Sequence, residues 1–369
     1  MNISEYIFEF FSEKGIDTVF MITGGQAMFL DDAVGKNPQY KIICMHHEQS
    51  ATMSADAYGR MKNKPAIALV TAGPGSVNTL TGVVGGYTDS SPMIVISGQA
   101  NLSFVKYQND TQIRQFGIQG INIRPLVEPV VKYFITIDDP KKVKYYLSKA
   151  FHEATTGRPG PVWIDVPLDI QNTAFEKAEQ VEFIPPEIPE GRVSVKQAVK
   201  HTYDKLLSAK RPVFLVGQGV KLAGAQEVFN DLAEKLQIPV ITARLGIDLI
   251  ESDNRLYVGR PGNYGERSAN FAIQNSDLII SVGCRLASSL VGHRPHEFGK
   301  HAYKIVVDID QKELDKPGVA IDYKAELDGK QFFSRMLEES DKYKVPDYEN
   351  WVNQCEYWKN TYPVVQREY

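Results

Sequence analysis

Apolar and polar positions along this chain follow two different periods. In residues 3–14, ISEYIFEFFSEK, the residues Ile3, Ile7, Phe8 and Phe11 recur at the spacing of one helix face. Ser4 is the expected N-cap and Gly15 the stop. Short apolar runs follow: TVFMI, KIICM, AIALVT and MIVIS. They are rich in β-branched residues, as strands buried on both faces are. The stretches between them, 26–35, 48–62 and 76–86, read as helices. VKYFITI, a helical pattern over 140–156 and PVWIDVP complete the series near residue 170. Strand and helix in alternation predict a parallel sheet in a doubly wound α/β domain.

Residues 171–191 are polar and carry Pro185, Pro186 and Pro189, which predicts a linker. A second α/β series then begins. A helix over 194–208 leads into PVFLVG, a helix over 223–236, PVITA, DLIISVG and KIVVDID. The prediction is two doubly wound parallel-sheet α/β domains, 1–170 and 192–335. Residues 336–369 are expected as a tail, helical and then irregular through Trp351, Trp358 and Tyr362. A chain of 369 residues is long enough for two separate cores.

Composition narrows the functional classes. The 45 acidic residues against 41 basic ones leave a net charge of −4 with no long block of one sign. Nothing in that balance would draw nucleic acid or an anionic membrane. No apolar run approaches the ~20 residues of a membrane span. The N-terminus has Glu5 and Glu9 and no basic start, unlike a targeting signal. Cys44, Cys284 and Cys355 are widely spaced and odd in number, which argues against a disulfide framework or a zinc site. A reducing, cytoplasmic location is expected.

The candidate chemistry clusters after predicted strands, where open α/β sheets place ligands. His46, His47, Glu48 and Gln49 follow KIICM and open a helix. Glu48 reads either as an acid–base group or as a charge that favours the helix N-terminus. Adjacent histidines on a strand point to opposite faces, so a shared metal is not expected. Gly73, Pro74 and Gly75 follow AIALVT, and Gly24 and Gly25 follow TVFMI. Glycines there suit either an ordinary tight turn or close approach of backbone to a ligand. In the second half, Gly217 and Gly219 form a GxG whose next glycine, Gly224, is out of step with a dinucleotide fingerprint. Arg260, Arg267 and Arg285 suit either phosphate contact or surface ion pairs.

Four stretches in order, VFMITGGQAM, HHEQSATMSADAYGR, VTAGPGSVNTLTGVVGGYTDSSPMIVISGQ and TGRPGPVWIDVPLDIQ, resemble the acetolactate synthase branch of the thiamine-diphosphate enzymes. The resemblance implies a pyrimidine-binding domain followed by a Rossmann-like central domain. It puts Glu48 on the family's catalytic glutamate, whose carboxyl favours the imino form of the cofactor's aminopyrimidine. It also implies that Gly24, Gly25, Gly73, Pro74 and Asn78 line the pyrimidine pocket. Gln119, in an Ile118-Gln119-Gly120 segment, falls on a family glutamine, and Lys132 on a lysine near the substrate channel.

The resemblance further implies a third domain carrying a GDG motif that holds Mg²⁺ and the diphosphate. No GDG occurs in the sequence, so that domain is expected on another polypeptide or on a longer form of the chain. The implied partners are a 2-keto acid such as pyruvate, a second copy of the chain in a homodimer or larger assembly, and that diphosphate-binding polypeptide. The family's FAD is a weaker expectation: Gly283, Cys284 and Arg285 match one contact segment, but Ala287, Ser288 and Ser289 replace its acidic pair and arginine. Three readings follow. One is an acetolactate synthase-like transferase, the second a decarboxylase, oxidase or lyase on the same fold, and the third a non-catalytic nucleotide-binding or scaffolding piece. The pathway, branched-chain amino acid synthesis or a specialised route, stays open.

Overall fold

The apolar runs of the first half form six parallel strands: β1 (Thr18–Met21), β2 (Lys41–Cys44), β3 (Ala66–Val70), β4 (Met93–Gln99), β5 (Tyr133–Thr136) and β6 (Pro161–Pro167). Their order is β2-β1-β3-β4-β6-β5. Every residue of β3, β4 and β6 is buried, which accounts for their largely apolar character. β2 lies at the edge, and Ile42 there remains 36% exposed. The computed structural model describes residues 1–186 and 193–365. The chain divides into two units, Met1–Glu187 and Ile188–Tyr369.

Helix Ile3–Glu13 is capped differently from the sequence expectation. Asn2 is the N-cap, and it forms a reciprocal box with Glu5 at 2.9 Å in both directions. Ser4 is instead buried, and its hydroxyl donates to Gln171 O at 3.0 Å. Gly15 ends the helix with φ +78°, as glycine readily does. The predicted helix 48–62 is observed as Glu48–Lys62. The predicted helix 76–86 divides at Thr79 into Pro74–Asn78 and Leu80–Asp89. The second of these packs closely on Glu48–Lys62, because a Cβ at Gly82 would lie 2.4 Å from Thr52 Oγ1.

Residues expected as a linker are partly docked on the first unit. Phe175 stacks on Tyr6 at 3.5 Å, Ala174 bridges Asn2, and Val181 N donates to Lys141 O at 3.0 Å. Of the linker prolines, Pro189 lies outside the described residues.

The second unit holds β7 (Pro212–Val216), β8 (Val240–Thr242), β9 (Tyr257–Gly259), β10 (Leu278–Val282), β11 (Tyr303–Asp308) and β12 (Tyr323–Glu326). All pair in parallel, in the order β12-β11-β10-β7-β8-β9. Phe214, Phe229 and Phe333 pack in one hydrophobic cluster, and Ile241, Ile279 and Trp351 in another. The segment expected as a tail belongs to this unit. Helix Glu349–Thr361 buries Trp351 and Cys355, and Trp351 Nε1 donates to Pro212 O at 2.9 Å. Tyr348 OH donates to Leu206 O at 2.7 Å. Among the described residues, no helix is long and apolar enough to cross a membrane.

One ionisable group is fully buried inside the first sheet. Asp165 on β6 accepts from Ser97 Oγ at 2.7 Å, and from Gln99 Nε2 and Thr136 Oγ1 at 3.3 Å each. Trp163 Nε1 in turn donates to Ser97 Oγ at 2.8 Å. Burial raises the Asp165 carboxyl to about 6, despite the three donors that pull it down. In the unfolded chain such a carboxyl titrates near ~3.9. Between those values the folded form binds more protons, so this group lowers stability as pH rises, by about 3 kcal/mol in all. Asp165→Asn removes that dependence. Urea unfolding of both proteins from pH 4 to pH 7 is expected to show the wild type losing stability relative to the variant. Parallel curves would mean that Asp165 does not titrate in this window.

Candidate active site

The connections of the first sheet create a crevice at one place on its edge. The chain runs from β1 outward to β2 and then returns to β3 on the other side of β1. The loops after β1 and β3 therefore diverge at a topological switch point, where open α/β sheets bind ligands. Gly24 and Gly25 follow β1, Glu48 follows β2, and Gly73 with Pro74 follows β3. These candidates share the carboxyl edge.

The backbone there is too close-packed for larger residues. A Cβ at Gly24 would lie 2.4 Å from the Thr71 side chain, whose Oγ1 accepts from Gln26 N at 3.2 Å. Gly25, by contrast, is exposed, and a Cβ there would meet nothing within 4 Å. Gly73 has φ +64° and ψ −124°, a conformation that L side chains rarely adopt. A Cβ at Gly73 would also lie 2.3 Å from the backbone oxygen of Gln119. Pro74, whose fixed φ suits a first helical position, then opens helix Pro74–Asn78.

Glu48 is the first residue of its helix, and His47 is the N-cap, accepting from Gln49 N at 3.2 Å. The Glu48 carboxylate turns toward the neighbouring loop: Asn78 Nδ2 donates to Oε2 at 3.0 Å. Its Oε1 would stand 3.2 Å from a Cβ at Gly75. Glu48 is half-buried, and Asn78, at the end of the short helix, is exposed. The structure thus brings Glu48, Gly73, Pro74 and Asn78 together, sets Gly24 and Gly25 on the adjoining loop, and lays the Gln119 backbone on Gly73.

Lys132 is placed elsewhere. It precedes β5 beside Pro161, at the opposite end of the sheet. Its ammonium donates to Glu153 O and, at 2.9 Å, to Thr156 O, at the close of helix Val143–Thr155. A cation on helix C-terminal carbonyls is a capping arrangement. Burial pushes the Lys132 ammonium down.

Asp31 escaped the sequence reading. It accepts from Gly24 N at 3.1 Å through Oδ2, while the buried Oδ1 has no hydrogen-bond partner among the described residues. Burial raises its carboxyl to about 6, with the Gly24 amide opposing. In sequence, an acid in a first helical turn is indistinguishable from an ordinary N-terminal charge.

In the second unit the GxG glycines serve packing. A Cβ at Gly217 would lie 2.3 Å from Gly283 O, and one at Gly219 would lie 2.6 Å from Gly283 Cα. Arg260 is paired with Glu266 at 3.4 Å. A cavity of about 440 Å³ lies beside Leu286, Ser288, His293, Glu313, Lys316 and Ile321. Among the described residues, no cluster of His, Cys, Asp and Glu could hold a metal ion.

Both halves of the chain have counterparts among known proteins. Residues 1–119 match the N-terminal thiamine pyrophosphate-binding domain of thiamine pyrophosphate enzymes, and residues 199–331 match their central domain. The acetolactate synthase large subunit of Lactococcus lactis is 29% identical over 349 residues, covering 95% of this chain and 59% of that protein. Those of Cyanidium caldarium and Haemophilus influenzae are 32% and 31% identical, covering 95% and 96% of this chain and 60% and 61% of their own lengths. The chain therefore spans about 60% of the length of these relatives. The chain thus carries the N-terminal and central domains of thiamine pyrophosphate enzymes, in that order.

Proposed function

We propose that this chain forms the pyrimidine-binding and central parts of an acetolactate synthase-like transferase that joins 2-keto acids such as pyruvate after decarboxylation. The observation that carries the proposal is the Glu48 carboxylate, held by Asn78 beside the Gly73–Gly75 turn at the sheet's switch point. Relatives named acetolactate synthase large subunit, aligned along most of the chain, support the choice of reaction.

The residues present fit the pyrimidine end of thiamine diphosphate. The crevice offers the Glu48 carboxyl group, a neutral amide donor and glycines that let the surrounding loops pack closely. Thiamine diphosphate, when bound, supplies the electron sink for 2-keto acid chemistry. Glu48 is the acid–base group: it holds a proton on its carboxyl and exchanges it with what occupies the crevice. Asn78 fixes the rotamer of Glu48 and donates to it in either protonation state. Gly24, Gly25, Gly73 and Pro74 shape the pocket wall, and Gln119 closes its far side. Mg²⁺ and the diphosphate belong in this proposal to a separate diphosphate-binding domain. FAD does not enter it, because Ala287, Ser288 and Ser289 leave no charged group where the resemblance calls for three.

A homodimer fits the surface of the first unit. Met53 on helix Glu48–Lys62 is 45% exposed, and Val84 and Tyr87 on the adjacent helix Leu80–Asp89 are 40% and 42% exposed. Apolar side chains gathered on adjoining helices suit a protein partner. Cytoplasmic residence is part of the reading, since all three cysteines are unpaired.

Pyruvate turnover with thiamine diphosphate and Mg²⁺ tests the reaction, with the diphosphate-binding domain of a relative supplied as a second polypeptide. Acetolactate is the expected product; acetaldehyde or acetate would move the assignment to a decarboxylase or oxidase. A carboxamide cannot exchange the proton, so Glu48→Gln is expected to lower kcat at least about 100-fold, and Asn78→Ala about tenfold. Full turnover by Glu48→Gln would sink the site. Light scattering is expected to report a dimer that Val84→Asp combined with Tyr87→Asp converts to monomer. A monomeric wild type would remove the homodimer from the proposal.

A further inference from the structure

Two buried glutamines have no part in the site as described, yet both reach the same loop. Helix Leu102–Thr111 is followed by residues 112–123, which carry no strand or helix. Apolar contacts hold parts of this stretch: Phe116 packs on Phe104 at 4.4 Å and Tyr107 at 5.2 Å, and Ile121 and Ile123 join a buried cluster, while Ile118 between them is 75% exposed. Side-chain amides make ties from below. Gln108, buried near the end of the preceding helix, donates through Nε2 to Arg114 O at 3.0 Å and Gly120 O at 3.3 Å. Gln99, buried at the end of β4, donates through Nε2 to Ile121 O at 3.1 Å.

Gln99 is itself fixed on both sides of its amide. Its Oε1 accepts from Ala100 N at 2.9 Å, and its Nε2 also donates to the buried Asp165. The loop then has little freedom. A Cβ at Gly117 would lie 2.3 Å from Ala100 Cβ, so the loop rests directly on the end of β4. Between the tied carbonyls sits Gln119, with φ +56°, a left-handed conformation that a non-glycine residue keeps only where its surroundings impose it. Its backbone oxygen abuts Gly73, the residue whose turn leads into the helix bearing Asn78.

We propose that Gln99 and Gln108 are positioning residues that clamp the 117–121 backbone and so set Gln119 against the Gly73 turn of the Glu48 site. The inference rests on the proposed function, which makes Gln119 part of the cofactor pocket. Buried amides would otherwise be costly to leave unsatisfied, and methionine of similar length cannot replace their N–H groups.

The test compares wild type with Gln99→Met and Gln108→Met. Amide exchange over 117–121 and tryptic cleavage after the exposed Arg114 are measured on the chain itself. Both are expected to accelerate on the order of tenfold, with the far-UV spectrum unchanged. Thiamine diphosphate affinity is then measured by calorimetry with Mg²⁺ and the supplied diphosphate-binding domain, and is expected to fall about tenfold. Unchanged exchange and cleavage in both variants overturns the clamp. A loosened loop with unchanged affinity overturns the positioning role and leaves the glutamines as structural ties. Glu48→Gln serves as the separating control, since it is expected to leave loop exchange untouched. If wild type binds no thiamine diphosphate, the underlying function fails, and with it the positioning role, while the exchange measurement still decides whether the loop is clamped.

Discussion

The carboxyl edge of the first sheet depends on the close approach of backbone to backbone at Gly73. The turn there has φ +64° and receives the Gln119 carbonyl where a Cβ would stand 2.3 Å away. Any other residue would bring backbone strain of order 1–3 kcal/mol and a clash with an atom of the main chain, which cannot swing aside. That single permission has consequences on both sides. It lets the chain turn sharply into helix Pro74–Asn78, which delivers Asn78 to Glu48. It also lets residues 117–121 close over the crevice from beyond β4. The same glycine thus joins two segments distant in sequence.

The two units share a fold class and use their switch points differently. In the first, the loops after β1 and β3 meet through a threonine side chain, and a carboxylate from the next loop stands beside them. In the second, the loops after β7 and β10 meet as glycine on glycine, through Gly217, Gly219 and Gly283. The glycines of the GxG therefore serve that close packing. The adjacent cavity beside Leu286 and Glu313 is displaced from the glycines, so the sequence motif and the open space do not coincide.

Much of the fold was legible because buried parallel strands announce themselves by short apolar runs rich in β-branched residues. PVWIDVP became β6 residue for residue, and the helix 48–62 kept its ends. What escaped was short or peripheral. β9 and β12, of three and four residues at the sheet edges, carry too few apolar positions to show a period. Helix Glu349–Thr361 was hidden because its buried Trp351 and Cys355 are set among exposed polar residues in a stretch read as tail. At the site, the glycine turns and Glu48 were visible as local signals. Asp31 and the glutamines Gln99 and Gln108 were not, because their roles depend on partners that only the folded chain brings near. Lys132 shows the reverse: a residue singled out by alignment, whose nearest partners are the carbonyls ending a helix.

Glu48 illustrates why local and tertiary readings of one residue need not compete. As a helix N-terminal acid, it would gain about 0.3–1 kcal/mol from the macrodipole wherever its carboxylate pointed. The capping bond itself is made by His47, whose ring nitrogen accepts from Gln49 N. That division of labour releases the Glu48 carboxylate to turn toward Asn78, thirty positions away in the chain. The Asn78 amide then fixes where the carboxylate sits. A carboxylate kept for helix stability alone would need no such partner. The proposed proton-transfer role rests on that pairing across two loops at a switch point.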